Sequence, residues 1–262
     1  RDKLSRERDP LVKQFWELEA EKAGGESSLS NMAPYISTKI DTFVTNVFLK
    51  NILNQRRSTI NFREVMDNKK ILIVGLSKGR IGDLNAYLLG LLVVGELTIA
   101  ALSRADTPEE HSPDFYLYID EFQNFTTDSI TTILAEARKY RLDLIVAHQY
   151  IKQLKENIKD AVFGNVGSKV VFRVSADDAE ALKIEFEPTF SPQDIVNLDN
   201  FNAVVKLLID NKTTKPFNIQ TIREKVGSFD MADAVKQLSR VTYGRPKELV
   251  EAEIRKSYDD VF

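Results

Sequence analysis

The stretch FYLYIDEFQNF, Phe115 to Phe125, carries five apolar or aromatic residues straight into two adjacent carboxylates, Asp120 and Glu121. A buried strand that ends in such a pair suits a phosphate site. One acid can reach Mg²⁺ through water while its neighbour polarises the attacking water. The same pattern also fits a solvated strand end or a helix-capping aspartate. Chemistry of the first kind needs a loop that cradles phosphates, and no G-x-x-x-x-G-K-[ST] occurs in the 262 residues. GLSKGRIGD, Gly75 to Asp83, comes nearest, but its lysine stands in the wrong register. It reads as a glycine-rich strand-to-helix turn whose Lys78 and Arg80 could face a phosphate of nucleotide or DNA.

Other chemistries find little support. The chain has no cysteine and two widely separated histidines, His111 and His148, which argues against a disulfide, a thiolate metal site or an H-E-x-x-H zinc pair. No G-x-S-x-G elbow is present. The formal net charge of −3 leaves no global nucleic-acid footprint, although a ring can grip DNA with basic groups on one pore loop. The chain opens on RDKLSRERDP, which is charged, carries no signal peptide and lacks an initial methionine. It is expected to be a piece of something longer.

The elements that must position the acids can be read from periodicity. DPLVKQFWELEAEKAGG and STKIDTFVTNVFLKNILNQ are helical, and residues 1–57 read as a small all-helical lobe. Residues 58–225 alternate strand and helix, which argues an α/β core with a largely parallel sheet. KKILIVGL is a continuous apolar run of the buried-strand type. A helix from Asp83 to about Arg104 follows, then the strand into Asp120, a helix from about Asp128 to Tyr140, and the strands LDLIVAHQ and GSKVVFRVS. FNAVVKLLIDNKTTKPFNIQT reads as a hairpin around Asp210–Lys212. Residues 226–262 form an appendage of two amphipathic helices split by YGRP. Leu84 to Leu102 is apolar enough to span a membrane, but it holds Glu96 and lies between two strands. We read it as a buried crossover helix, with Glu96 at an exposed edge or beside a polar partner.

Taken together, FYLYIDEFQNF, LAEARKYRLDLIVAHQY, FGNVGSKVVFRVSADDAE and KPFNIQT resemble the ring-forming ATPases that include HerA, FtsK and the conjugative coupling proteins. The nearest of these are the TraG/TraD-like coupling ATPases of type IV secretion. The resemblance runs from about Ile60 to Thr221 and implies a RecA-like P-loop NTPase core. Carried over residue by residue, it makes Asp120 the acid on the Mg²⁺ side and Glu121 the catalytic base. It makes Arg138 an arginine finger acting in trans and Gln149 the sensor of the γ-phosphate; at the end of a helix and of the next strand, both read as positions on the carboxyl edge of the parallel sheet. It further implies ATP and Mg²⁺, sequence-independent DNA contact with Lys78 and Arg80 as donors, and a homo-hexamer. A relaxase or secretion channel would be the partner, and the setting cytoplasmic, at the inner face of the membrane through a part outside this chain. His148 is expected on the other face of its strand end, and Asn165 and Arg173 as polar groups at the edge of the core. In this family the P-loop precedes the helical lobe, so its place would be upstream of Arg1. The 262 residues alone are therefore expected neither to bind ATP tightly nor to hydrolyse it. The alternative reading is a non-catalytic ring or docking module on the same fold. A small-molecule enzyme has neither nucleophile nor dinucleotide fingerprint behind it.

Overall fold

The computed structural model describes residues 9–15, 34, 46–108, 111–126, 129–224 and 227–259. Its elements begin with α1 (Pro10–Gln14), α2 (Lys50–Leu53), α3 (Phe62–Asp67), α4 (Lys78–Ile81) and α5 (Asp83–Leu102). They continue with β1 (Phe115–Ile119), α6 (Ser129–Glu136), β2 (Leu142–Val146), α7 (Glu156–Asn165) and β3 (Lys169–Val171). Next come α8 (Ala176–Ala181), α9 (Lys183–Phe186), α10 (Pro192–Val196), β4 (Asn202–Lys206), β5 (Leu208–Ile209), β6 (Lys212–Thr213) and β7 (Phe217–Gln220). The chain closes on α11 (Phe229–Tyr243) and α12 (Lys247–Asp259). Most of the two leading helices, residues 16–33 and 35–45, lies outside the described residues.

The chain divides into two compact units, Arg1–Ser58 with Gly244–Phe262, and Thr59–Tyr243. In the first, Leu49, Val250 and Ile254 are buried, and Asn51 Nδ2 donates to Glu251 Oε1 at 3.3 Å. The last helix thus belongs to the same unit as the leading helices, while α11 falls in the other.

The second unit is a mixed α/β body. Its parallel part is the pair β1–β2, in register from Phe115↔Leu142 to Ile119↔Val146. One core gathers Met66 of α3, Leu97 and Ala101 of α5, Ile119, Leu142, Ile130 of α6 and Ile158 of α7. Burying each large side chain of this kind stabilises by about 1.5–3 kcal/mol. The amino ends of both strands are tied by Arg104, which is 2% exposed. Its Nε donates to Asp67 Oδ1 at 3.0 Å, and its Nη1 donates to the carbonyls of Pro113 (3.0 Å) and Tyr140 (2.9 Å). A buried charge is tolerable only with such partners.

The expectation of a largely parallel sheet is corrected. β3, β4 and β7 form a separate antiparallel sheet in the order β3-β4-β7. β4, buried at Ala203, Val204 and Val205, takes a partner on each edge, and β7 returns antiparallel after the β5–β6 hairpin. That hairpin turns where expected, with positive φ at both Asp210 and Asn211, the geometry of a type I′ turn. The run KKILIVGL is not a sheet strand. Among the described residues it pairs with no strand, and Ile71 is 90% and Ile73 83% exposed. Its alternate residues Leu72, Val74 and Leu76 face β1 across a cleft instead.

α5 is buried on one face only. Ala86, Gly90, Leu97, Ala100 and Ala101 pack inward, while Leu84, Leu92, Ile99 and Leu102 stay exposed. The span Asp83–Asp106 is long and apolar enough to cross a membrane by length and composition, and 33% of its most apolar window is buried. Glu96 lies on the exposed side, where a carboxylate needs no partner.

Candidate functional site at the strand ends

Parallel pairing brings two distant segments to one edge. Beyond Ile119↔Val146 the ladder continues, with Ala147 N donating to Ile119 O at 3.0 Å and Phe122 N to Ala147 O at 2.8 Å. The residues that follow, Asp120–Glu121 and His148–Gln149, therefore emerge side by side at the carboxyl ends of β1 and β2. That edge is where ligands bind in parallel α/β sheets.

Glu121 bends the chain out of the strand with φ 52 and ψ 44, in the left-handed region. A non-glycine residue there carries about 1–2 kcal/mol of strain. Asp120 Oδ1 accepts from the Glu121 N–H at 2.9 Å. The Glu121 carboxylate is engaged at both oxygens: Gln149 Nε2 donates to Oε1 at 2.6 Å, and Gln123 Nε2 donates to Oε2 at 2.6 Å. Asp120 and Gln149 are exposed, and Glu121 is half-buried.

The acids open onto a cleft of about 690 Å³ between the segment 72–76 and β1. Its polar lining includes Lys78, Asp120, Glu121 and Asn124, and its apolar walls include Val93 and Phe125. Lys78 of α4 thus shares the cleft with the acids. Arg80 is exposed on the same short helix and does not line it. Among the described residues no three His, Cys, Asp or Glu side chains converge as a metal cage. Asp120, with Oδ1 taken and Oδ2 in no hydrogen bond among the described residues, suits Mg²⁺ held mainly by phosphates and reached through water.

Arg138 is placed elsewhere. The sequence reading set it at the carboxyl edge with Gln149, but it sits on the turn Ala137–Tyr140, which feeds the start of β2. The helix before a parallel strand ends at the strand's amino edge, and the five-residue strand separates the two edges by about 13 Å. Arg138 is exposed and makes no ion pair among the described residues. Beside it, burial pushes the Asp143 carboxyl up and Asp114 adds to this, while Arg141 and Arg138 oppose it.

His148 is half-buried, and burial pushes its imidazole down while Asp178 acts in the other direction. Asp178 is itself buried, with Oδ1 accepting from Ile151 N at 3.3 Å. That bond ties the loop after β2 to α8. Asn165 Nδ2 bonds Ala161 O at 2.8 Å, and Arg173 Nη2 bonds Asn200 Oδ1 at 3.2 Å, both within their own surroundings.

Against known proteins, residues 114–184 match the family described as the TraM recognition site of TraD and TraG. This segment is TraG/TraD-like. The TraG/TraD-like segment contains Asp120, Glu121, Arg138 and Gln149, and leaves Lys78 and Arg80 outside. No curated protein matches the chain. Among solved structures it is similar to the bacterial conjugative coupling protein TrwBdeltaN70 in an unbound monoclinic form, at 18% identity and TM-score 0.43 over 48% of this chain and 36% of that one. It is also similar to the plasmid coupling protein TrwB in complex with the non-hydrolysable GTP analogue GDPNP, at 19% identity and TM-score 0.40 over 48% and 35%. The matched part is about a third of the length of these structures.

One site residue escaped the sequence reading. Gln123 stands two residues after Glu121 in DEFQNF, and only the left-handed turn at Glu121 swings its amide back onto the carboxylate.

Proposed function

We propose that the chain is the C-terminal part of a ring-forming, ATP-driven motor that moves DNA, of the kind that couples plasmid transfer to type IV secretion. One observation carries this reading: Asp120, Glu121 and Gln149 converge at the carboxyl edge of a parallel strand pair, within a TraG/TraD-like segment. The core would be RecA-like. Asp120 would hold a water of the Mg²⁺ shell, and Glu121 would take a proton from the attacking water. That water's oxygen bonds to the γ-phosphorus, the bond to the bridging oxygen breaks, and ADP and phosphate result.

A P-loop from a part of the protein outside this chain would supply the phosphate cradle. Arg138, exposed at the opposite edge and in no ion pair among the described residues, would reach a neighbour's nucleotide in a homo-hexamer. DNA would be gripped by its phosphates, whatever the sequence, with Lys78 and Arg80 as donors. The setting would be the cytoplasmic face of the membrane, with a relaxase, a secretion channel or a TraM-like protein as partner, since the matching family is described by TraM recognition.

The test is phosphate release by the full-length protein with ATP and Mg²⁺, with and without DNA. DNA-stimulated turnover is expected. A second reading, a non-catalytic docking module, draws on that same description and on the missing G-x-x-x-x-G-K-[ST] in these residues. It gains if the full-length protein holds a TraM-like partner yet neither binds nor hydrolyses ATP.

A further inference from the structure

The Glu121 carboxylate is held by two amides whose surroundings differ. Gln123 belongs to the same turn, is half-buried, and has its own Oε1 buried without a partner among the described residues. It is packed in place. Gln149 comes from the other strand and is exposed. It can leave without disturbing the core. The Glu121 backbone is fixed independently, by the Phe122 N to Ala147 O bond on one side and the Asp120 carboxylate on the other. Both amide bonds, at 2.6 Å, are short for N–H···O, as charge-assisted bonds are.

A general base must turn an open lone pair toward the proton it will take. Here each oxygen already accepts from an amide, and the bond to Oε1 comes from the exposed side, where a substrate would enter. We propose that Gln149 is a gate on Glu121 and that Gln123 is the positioning residue that holds the carboxylate while the gate opens. This rests on the reading of the site as a nucleoside triphosphate hydrolase. Without nucleotide, Gln149 Nε2 stays on Oε1. The terminal phosphate of a triphosphate is a more highly charged acceptor and draws the amide away. Oε1 is then free to face the attacking water, while Gln123 keeps Oε2 and fixes the plane of the carboxylate. A diphosphate lacks the γ-phosphate, so the gate closes again in the product state. Hydrolysis is thereby confined to the state with a triphosphate seated.

The gate requires Glu121 and the terminal phosphate to compete for one donor, and competition is measurable without turnover. The experiment is a double-mutant cycle in the full-length protein, reading affinity for ATPγS relative to ADP by equilibrium fluorescence of labelled nucleotides. Glu121→Ala removes the competing acceptor and also a negative charge. The same substitution in a Gln149→Ala background reports the charge effect alone. The gate predicts that Glu121→Ala tightens ATPγS over ADP about tenfold more when Gln149 is present than when it is absent. Equal effects in the two backgrounds would overturn it. For the positioning role, Gln123→Ala should lower kcat about tenfold or more with ATPγS affinity unchanged, and an unchanged kcat would remove Gln123 from the account. The underlying site reading has its own control. If Glu121→Gln abolishes hydrolysis while ATPγS still binds, but the cycle is additive, the gate alone fails. If Glu121→Gln changes nothing, the site reading fails and the gate with it.

Discussion

Gln149 and Glu121, 28 residues apart in sequence, meet at 2.6 Å because their strands run parallel and end in register. The contact is a consequence of topology. A slip of one residue between β1 and β2 would turn every second side chain to the other face and break it. The site therefore depends on what holds the two strand exits, above all the turn Phe122–Phe125 and the helix behind it.

Gly90 is the tightest point of that support. A Cβ at this position of α5 would lie 2.1 Å and 2.4 Å from ring carbons of Phe125 and 3.0 Å from Leu76 Cδ1. In an open helix interior, glycine to alanine stabilises by about 0.5–1 kcal/mol. Here overpacking opposes that gain and costs about 1–3 kcal/mol. Gly90→Ala should therefore lower the urea midpoint, with little change in slope. A raised midpoint would mean that the Phe125 ring moves aside freely.

Local signals made much of this legible. Alternating and continuous apolar runs gave β1 and β2, and Asp-Asn gave the β5–β6 turn. What failed was partner choice. The run 69–76 has the composition of a buried strand, but composition does not say which edge receives it, and it lies unpaired along a cleft. Nor does KVV announce an antiparallel neighbour. Arg138 was misplaced because spacing alone does not say at which edge a helix delivers its last turn. Gln123 was missed because its role hangs on a positive φ at a glutamate, which no residue type signals.

Glu185 of α9 joins the antiparallel strands. It pairs with Lys169 of β3 at 3.0 Å and Lys206 of β4 at 2.8 Å, with its side chain 19% exposed. Burial raises its carboxyl, but the bonds to Lys206 and Lys169 outweigh this and hold it below the ordinary glutamate value of 4.5. A depressed carboxylate contributes stability that is fully present above the unfolded value and lost as pH falls through the folded one. Glu185→Gln should cost about 2 kcal/mol at neutral pH. The gap to wild type should narrow as pH falls below about 4.5, where the unfolded chain's carboxylate takes its proton before the folded one does. Chemical denaturation at a series of pH values checks this, and a constant gap down to pH 3 would contradict it.

Arg138 stands about one strand length from its own chain's acids, so a catalytic role requires a neighbour's site. Its plainest other duty is to favour the helix C-terminus, which Lys139 and Arg141 beside it could serve as well. Only the planar guanidinium fork spans phosphate oxygens as charge develops between them. Full-length Arg138→Ala and Glu121→Gln should each be inactive, with a loss of about a thousandfold for the arginine. Mixed rings of the two contain some interfaces with both residues intact and should regain hydrolysis. Mixed rings shown to form yet remaining inactive would confine Arg138 to its own subunit or to capping.

The central claim is that the carboxylate at the end of β1 does the chemistry. Phosphate release by full-length Glu121→Gln in saturating ATP, Mg²⁺ and DNA, with nucleotide retention measured in parallel, tests it most directly. The substitution keeps the side chain's size and removes its capacity to take a proton. Loss of a general base should cut turnover by about a hundredfold or more while ATP stays bound. Turnover within twofold of wild type would contradict the account.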